Sequence, residues 1–398
     1  MEKNNWIHQD KAIDCFLREE SGILEMATGT GKTRTAIRIM ETLFRENKVD
    51  QILVLTYGND LLEQWYRELL LRCQDTILFR WYGNYNEFSR FQITKAKEKI
   101  ILISREGERI KYVLGRLKDL GERTLLVFDE VHGAGSEGFR KAVENEIQFF
   151  HYRLGLSATP IREFDQEGSV FLEKAIGPVI FHFDIADAIK NGILCCFRYI
   201  PLHYQLTSEE KKKKQNIIAA YEQKRKKGIA FQEEDLYRDL ARVNKLAINK
   251  ISLFQEYIQK EPQILERCII FVETREYGLA LQKMLLSYIY KFHTYYGNDD
   301  SSNLRKFARG QIDCLITCKK ISEGIDIQSV KNIVLFSSDR SKLATTQRIG
   351  RSLRKSPADR EKVASIVDFI YDSGKSEDVT ADSEREQWLT ELSKVREE

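Results

Sequence analysis

This 398-residue sequence has neither a large excess of charge of one sign nor a long hydrophobic run. Lys and Arg number 63 and Asp and Glu number 60, so the formal net charge is only +3. This balance neither requires nor excludes nucleic acid, because local grooves and main-chain amides can hold backbone phosphates without a large total charge. No run approaches the length of a membrane span, and the N-terminus lacks the apolar segment of a secretory signal. We therefore expect a cytoplasmic protein that makes no contact with a membrane.

Cysteine spacing typical of a metal site is also missing. The seven cysteines include the adjacent residues Cys195 and Cys196, but no two of them are separated by two residues. An odd count without ligand spacing indicates reduced thiols in a cytosolic protein. Cys314 and Cys318 lie in an apolar run that predicts a strand, and core packing fits them better than metal binding.

Short apolar runs alternate with longer amphipathic segments along two parts of the chain. This rhythm predicts an α/β fold in which parallel strands are joined by crossover helices. The chain is longer than a usual single domain, so we expect two α/β domains, at residues 1–190 and 191–372. The runs lie at residues 23–24, 52–55, 100–103, 125–128 and 154–156, then from 197 and at 268–272, 314–316, 333–336 and 363–367.

Two further segments differ in composition from these series. Residues 207–263 are nearly free of Gly and Pro and have apolar residues at helical spacing, which predicts two or three helices inserted in the second domain. Their basic runs at 211–214 and 224–227 are typical of solvated helix faces, with a grip on duplex DNA as the alternative. Residues 373–398 are polar and acid-rich, and predict a loosely held helix or tail.

The segment 22–40, GILEMATGTGKTRTAIRIM, has the order strand, glycine-rich turn, helix. Gly29 and Gly31 permit a tight turn whose amides point at an anion, and the helix that follows adds its N-terminal dipole. Lys32 is placed to reach the β- and γ-phosphates of a nucleotide, and the Thr33 hydroxyl to bind Mg²⁺. The pattern therefore predicts an ATP site.

A pair of acids follows a second apolar strand. In VFDEVH, residues 127–132, the strand ends so that Asp129 lies at the carboxyl edge of the sheet, where ligands of open α/β sheets bind. Asp129 can hold Mg²⁺, and Glu130 can orient and deprotonate the attacking water. Together with the glycine-rich turn, these acids predict ATP hydrolysis.

Several segments together resemble the motifs of superfamily 2 helicases and translocases, in the order of that family. Residues 129–132, DEVH, form a DExH box, and residues 155–160, GLSATP, resemble the motif that couples hydrolysis to movement. Segments 269–278, 317–327 and 347–354 resemble motifs IV, V and VI. The ATGTGKT, SATP and QRIGRSLR versions resemble the helicase subunits of type I and type III restriction enzymes and their DNA-repair relatives.

The resemblance implies two tandem RecA-like domains with parallel sheets, which clamp ATP and Mg²⁺ between them. Catalytic roles are implied for Lys32, Asp129, Glu130, Arg351 and Arg354, the two arginines reaching the γ-phosphate. Thr33 and Asp129 are the implied metal contacts. The implied ATP-binding residues are Gln9, Thr28, Gly29, Thr30, Gly31, Lys32, Thr33, Gly324, Asp326, Gln347 and Arg348, and the implied coupling residues are His132, Ser157 and Thr159.

The resemblance also implies one nucleic-acid strand that crosses the tops of both domains. Hydroxyl and amide donors at sheet edges suit phosphate oxygens and carry no base code, so little sequence specificity is expected. Trp65 lies at helical spacing from Leu62 and Leu69, which is more typical of core packing than of stacking on a base. The predicted contacts are Tyr57, Ser104, Arg105 and Thr317.

These features predict an ATP-dependent DNA helicase or translocase, with DNA favoured over RNA as its partner. The sequence has no PD…ExK, HNH or HKD-like nuclease pattern. The resemblance therefore implies the motor of a bacterial restriction or anti-phage defence system that works with a separately encoded nuclease or other subunit. Two alternatives stay open, a nucleic-acid-sensing ATPase switch that controls a partner nuclease and an RNA helicase.

Overall fold

Strands and helices alternate in both halves of the chain in a computed structural model, which describes residues 6–143, 145–160, 165–296, 302–318, 330–337, 341–355, 361–372 and 380–396. The described residues up to Leu194 belong to one unit and those from Cys195 to a second. Each unit holds its own parallel sheet. The predicted fold class is thereby confirmed.

The first unit is built on one parallel sheet. Its strands are β1 (Ser21–Met26), β2 (Gln51–Thr56), β3 (Ile77–Trp81), β4 (Lys99–Ser104), β5 (Thr124–Asp129), β6 (Tyr152–Ser157) and β7 (Val179–Phe183). Within the described residues they lie in the order β3-β4-β2-β5-β6-β1-β7. The connecting helices are α1 (Ile7–Glu19), α2 (Lys32–Arg45), α3 (Asn59–Arg72), α4 (Phe88–Ile93), α5 (Gly107–Leu117), α6 (Glu137–Val143), α7 (Gln166–Ala175) and α8 (Ile185–Lys190).

The centre of this sheet is buried on both faces. Every residue of β2, β4 and β5 is buried, as expected for parallel strands covered by helices on either side. The strands run in the same direction, so the residues that follow them collect at one edge of the sheet. The carboxyl edge therefore brings together segments that are far apart in the sequence.

The second unit has its own sheet and core. Its strands are β8 (Phe197–Tyr204), β9 (Cys268–Val272), β10 (Phe292–Tyr295), β11 (Cys314–Cys318), β12 (Asn332–Leu335) and β13 (Ala364–Tyr371). In the described part of this unit they lie in the order β10-β11-β9-β12-β13-β8. The helices are α9 (Ser208–Lys226), α10 (Glu233–Lys245), α11 (Asn249–Lys260), α12 (Arg275–Leu285), α13 (Ser302–Ala308), α14 (Lys342–Ile349) and α15 (Ala381–Leu392).

Helices α9, α10 and α11 occupy the segment between β8 and β9. Helix α9 begins with a capping box, in which Thr207 and Glu210 each accept a hydrogen bond from the other's backbone amide. Only one of its side chains, that of Tyr221, is buried, and its hydroxyl donates to Asp239 of α10 at 3.0 Å. Lys211, Lys212 and Lys213 are exposed.

The last helix is attached to the second sheet through a buried ion pair. Arg385 of α15 donates to Asp368 of β13 at 2.7 Å, and the two side chains are 5% and 0% exposed. The same carboxylate accepts a hydrogen bond from the Tyr199 hydroxyl. Separating the two side chains would leave an uncompensated buried charge on each, which is costly. The ion pair therefore holds α15 against β13.

Three strands of the structure lie outside the apolar runs found in the sequence. They are β3, β7 and β10, each at an edge of its sheet. Edge strands have one side without a neighbouring strand, and these three contain partly exposed or polar residues such as Arg80 and His182. The runs in the sequence therefore identify the buried strands better than the edges.

No helix in the described ranges has both the length and the apolar composition that are needed to cross a membrane.

Lys250 of α11 is a buried cation beneath the second sheet. The residue is 3% exposed and its Nζ donates to the Phe336 carbonyl at 2.9 Å. Its Nζ also lies 4.7 Å from the centre of the Tyr204 ring. Burial lowers the pKa of Lys250 to about 7, against the opposing charges of Asp382 and Asp368.

We predict that Lys250→Met removes a pH dependence of stability. Between pH 7 and 10.5 the unfolded chain binds a proton at Lys250 that the folded chain does not, so the free energy of unfolding of the wild type rises with pH in this window. Relative to the variant, the wild type should therefore become more stable as the pH rises from about 7 to about 10. Urea denaturation at several pH values measures the difference.

Lys260→Met, which removes an exposed lysine of the same helix, is the control and should show no such trend. A difference between the wild type and Lys250→Met that is constant across this pH range contradicts the prediction.

Candidate ATP site

The glycine-rich turn lies between β1 and α2 of the first unit. The backbone φ angle is 92° at Gly29 and 91° at Gly31, a left-handed region that side chains disfavour. Gly31 is the N-cap of α2, and no side chain of the described residues caps the amides of its first turn. These amides remain available to an anion at the positive end of the helix.

Side chains of the turn are held in place by backbone carbonyls. Lys32 Nζ donates to Met26 O at 3.1 Å, which folds the lysine back over the turn. The buried Thr30 hydroxyl donates to Ala27 O at 2.7 Å. Thr28 and Thr33 are half-buried on the same segment.

Helix α1 places Gln9 against this turn. Gln9 is fully buried and its Nε2 donates to Thr30 O at 3.1 Å, and His8 Nε2 lies 2.8 Å from the same carbonyl. Gln9 Oε1 is buried and accepts no hydrogen bond from the described residues. A buried acceptor that lacks a donor fits a ligand with an N–H group, such as the amino group of adenine.

Asp129 ends β5 with its carboxylate out of water. The residue is 5% exposed, and its two oxygens accept hydrogen bonds from Trp65 Nε1 at 2.7 Å and from the Glu130 amide at 2.9 Å. Burial raises the pKa of Asp129, as does the neighbouring charge of Glu130, while the Trp65 bond and the Lys32 charge oppose the rise. A metal ion bound at this carboxylate would favour its charged form.

Trp65 is a site residue whose helical spacing predicted a place in the core. The side chain is indeed fully buried on α3, together with Leu62 and Leu69. Helical spacing shows that a tryptophan is buried, but it does not show where its N–H points. A buried indole usually finds an acceptor, and this is the signal that points to a partner such as Asp129.

Glu130 has a backbone conformation that is unusual for its residue type. Its φ and ψ angles are 47° and 56°, in the left-handed region. Glu130 Oε2 lies 3.4 Å from His132 Nδ1, which lies 3.3 Å from Ser157 Oγ at the end of β6. The Thr159 amide donates to the same hydroxyl at 3.1 Å. The structure therefore brings the residues predicted to couple hydrolysis to movement into one chain of contacts with Glu130.

Three of the predicted nucleic-acid contacts lie at the carboxyl edge of the first sheet. Tyr57, after β2, is 61% exposed, and Ser104, at the end of β4, is 6% exposed with its hydroxyl 3.2 Å from Glu106 Oε1. The Arg105 amide donates to Thr56 O at 2.8 Å, and its Nη1 donates to Glu130 O at 3.0 Å. The guanidinium of Arg105 therefore contacts the segment that carries the paired acids.

Thr317, the fourth predicted contact, lies in β11 of the second unit. The residue is fully buried, and its hydroxyl lies within hydrogen-bonding distance of Tyr295 O and Cys318 O, at 2.8 and 2.9 Å. The hydroxyl is therefore not presented to solvent, and its contact with nucleic acid stays a prediction.

The predicted arginines of the second unit lie on and just after α14. Arg348 is 4% exposed, donates to Ser337 O and lies 5.0 Å from the centre of the Phe271 ring. Arg351 is 7% exposed, and Gln347 and Arg354 are half-buried. Gly324 and Asp326 lie outside the described residues.

Two family models match the chain. Residues 4–162 match the model described as the type III restriction enzyme, res subunit, and residues 249–356 match the helicase conserved C-terminal domain. These ranges contain the glycine-rich turn, the paired acids and the arginines on and just after α14. The chain belongs to the superfamily 2 helicases. It is thus a member of an ATP-hydrolysing enzyme family related to restriction-enzyme subunits.

Curated relatives are similar over most of the chain. The DNA 3'-5' translocase XPB2 of Sulfurisphaera tokodaii is 24% identical over 393 residues, which cover 91% of this chain and 80% of that protein. The DNA 3'-5' helicase XPB of Mycobacterium tuberculosis is 24% identical over 359 residues, 87% of this chain and 57% of that protein. The chain thus spans little more than half the length of some of its relatives.

Solved structures support the fold. The Hef helicase domain of Pyrococcus furiosus superposes with a TM-score of 0.58 at 15% identity, over 97% of this chain and 98% of that one. The type ISP restriction-modification enzyme LlaBIII, bound to DNA, has a TM-score of 0.66 at 16% identity, over 100% of this chain and 30% of that one. At this level of identity, the likeness concerns the fold alone.

We predict that Gly31→Ala weakens nucleotide binding about tenfold or more. A Cβ at Gly31 would lie 2.1 Å from Gln9 Nε2, and the φ of 91° disfavours any side chain. An alanine would relieve this strain by moving the turn out of its phosphate-binding conformation, and restoring that conformation on binding would cost on the order of 1–2 kcal/mol, about tenfold in affinity. Titration with a fluorescent ATP analogue measures the change.

Gly115→Ala is the matched control. It lies in α5, has no heavy atom within 4 Å of an added Cβ, and should leave nucleotide affinity unchanged. Glycine inside a helix is destabilising by about 0.5–1 kcal/mol relative to alanine, so its melting temperature should rise slightly. Wild-type affinity in Gly31→Ala would contradict the assignment of this turn.

Proposed function

We propose that this chain is an ATP-dependent DNA translocase or helicase whose hydrolysis of ATP responds to nucleic acid. The observation that carries the proposal is the juxtaposition of the glycine-rich turn with the buried Asp129 carboxylate. Strands β1 and β5 are both parallel neighbours of β6, so the turn after β1 and the Asp129 carboxylate lie at the same edge of the sheet, and the charge of Lys32 opposes the rise in the pKa of Asp129.

In this proposal the first unit holds the triphosphate and its Mg²⁺. The amides of the turn and Lys32 bind the phosphates, and Gln9 accepts a hydrogen bond from the base. Thr33 and Asp129 hold Mg²⁺, which would neutralise charge on the phosphates. Glu130 orients the attacking water and accepts its proton, and His132 with Ser157 fixes the carboxylate of Glu130.

Arginines of the second unit complete the proposed machinery. Arg351 and Arg354 supply positive charge to the transition state, and Gln347 and Arg348 support them. Such arginines contribute on the order of 10³–10⁵ in rate. Hydrolysis is then expected to depend on both units, which is the property that lets a motor convert ATP turnover into movement.

DNA is the proposed nucleic acid. Relatives that match most of the chain are named as DNA 3'-5' translocases and helicases, which supports DNA over RNA. Tyr57 and Ser104 are the proposed contacts in the first unit, at the edge that also carries Asp129 and Glu130. A phosphate contact there would carry no base code, so little sequence preference is expected.

A narrower proposal concerns the biological setting. The match to the res subunit of type III restriction enzymes supports a motor in a bacterial restriction or anti-phage defence system, with a separately encoded nuclease or other subunit as its partner. In the second candidate function, the chain senses nucleic acid and its ATP state controls that partner with little unwinding. Strand displacement of a forked duplex by the purified chain separates the two, since a switch does not displace strands by itself.

We predict that Glu130→Gln lowers kcat for ATP hydrolysis by about 10²–10⁴, the usual contribution of a general base. Lys32→Ala should remove turnover as well, because the charge on the phosphates is no longer compensated. ATPase assays with single-stranded DNA, duplex DNA, and RNA of equal length measure both effects and the choice of nucleic acid.

Glu137→Gln provides the same change of charge at an exposed position of α6 and should keep the wild-type kcat. A wild-type rate that is indifferent to every nucleic acid would overturn the proposed function. Stronger stimulation by RNA than by DNA would transfer the proposal to an RNA helicase.

A further inference from the structure

Arg105 was predicted from the sequence to contact nucleic acid, but its guanidinium is directed at the backbone of the paired acids. Nη1 donates to Glu130 O at 3.0 Å and lies 3.5 Å from Asp129 O. The group is packed tightly, because a Cβ added at Gly133 would lie 2.1 Å from Arg105 Nη2. Phe139 of α6 lies beside it, with its ring centre 6.0 Å from the guanidinium carbon.

The carbonyl that Arg105 holds belongs to the strained residue. Glu130 adopts left-handed backbone angles, which persist in a non-glycine residue only where the surroundings enforce them. The Glu130 carbonyl accepts from Arg105 Nη1 and from the Gly133 amide, at 3.0 and 3.1 Å. These bonds fix the peptide that follows Glu130, and with it the direction in which the Glu130 side chain leaves the backbone.

The residue before Glu130 is held from another element. Trp65 of α3 donates to the Asp129 carboxylate, and α3 follows β2 directly after Tyr57 and Gly58. The Arg105 amide in turn donates to Thr56 O, the last residue of β2. The segments after β2 and β4 are thus bonded to each other, and each sends one side chain to the Asp129–Glu130 pair.

We propose that Arg105 is a positioning residue for ATP hydrolysis, which holds Glu130 in its left-handed conformation so that the carboxylate faces the attacking water. This inference rests on the proposed function, because it takes Glu130 as the residue that orients that water. The role differs from a direct phosphate contact, since it is exerted through the backbone of Glu130 and not through nucleic acid.

A positioning role and a phosphate contact differ in whether a lysine can substitute for Arg105. A lysine ammonium is a compact charge that still attracts a phosphate, but it lacks the rigid fork with which arginine is held between two carbonyls and an aromatic ring. For a positioning role, both Arg105→Lys and Arg105→Gln should lower kcat by about tenfold or more, the effect of losing a charged hydrogen bond. The KM for ATP and the DNA concentration that gives half-maximal stimulation should change less than about threefold.

Gly133→Ala tests the same contact from its other side. The added methyl group displaces the guanidinium and leaves Arg105 itself unchanged, so kcat should fall as in the Arg105 variants. Combined with Arg105→Gln, it should cause little further loss, because the two substitutions break one interaction. Arg116→Gln, which removes an exposed arginine of α5, is the charge-matched control and should keep wild-type kinetics.

The experiment measures kcat, the KM for ATP and half-maximal DNA stimulation for the wild type and these variants, with melting curves and fluorescent-nucleotide binding to verify folding. Wild-type kcat in folded Arg105→Gln overturns the inference. An unchanged kcat at saturating DNA, with weakened DNA affinity that lysine restores, also overturns it and establishes a phosphate contact. A wild type that hydrolyses ATP without regard to nucleic acid overturns the motor function alone, whereas a wild type without ATPase activity overturns both.

Discussion

Asp129 is the last residue of β5, a strand that is buried along its whole length, and its carboxylate is almost fully removed from water. A buried carboxylate is tolerated only when hydrogen bonds or opposite charges compensate its lost hydration. Trp65 and the Glu130 amide provide the hydrogen bonds, and Lys32 provides the charge. Helix α3 and the turn after β5 are therefore held together through a single side chain, at the same sheet edge as the glycine-rich turn.

Hydrogen bonds to the Asp129–Glu130 pair also link the segments after β2 and β4 to the turn after β5. The elements that contact the Asp129–Glu130 pair are the same ones that place Tyr57 and Ser104 at the sheet edge. The segments that carry the predicted nucleic-acid contacts and the paired acids thus form one bonded set around a buried carboxylate.

The sequence was sufficient for the parts of the fold that depend on local pattern. Apolar runs located the buried strands because covered parallel strands have little polar content, whereas the edge strands β3, β7 and β10 lack that signal. The spacing of Gly29, Gly31 and Lys32 predicted the turn because its geometry follows from residue type. The pattern could not predict which distant residue a side chain contacts, because that depends on the order of the strands in the sheet.

Trp65 and Arg105 illustrate that limit. Trp65 has the spacing of a core residue and is one, yet its indole N–H donates to a residue 64 positions away. Arg105 has the position of a phosphate contact at a sheet edge, but its guanidinium contacts the carbonyls after β5. Both contacts depend on which strands become neighbours, and that order is set by the whole sheet and not by the residues around either side chain.

The order of strands in the second sheet bears on how this unit is assembled. Strand β8 opens the unit, but its neighbour is β13, with Phe197 beside Ala364 and Tyr204 beside Tyr371. Because the N-terminal part leaves the ribosome first, β8 cannot pair until β13 has been synthesised. Until then β8 has no neighbouring strand on either side, and such a strand is prone to wrong pairing. The second sheet therefore cannot be completed before its last strand has been made.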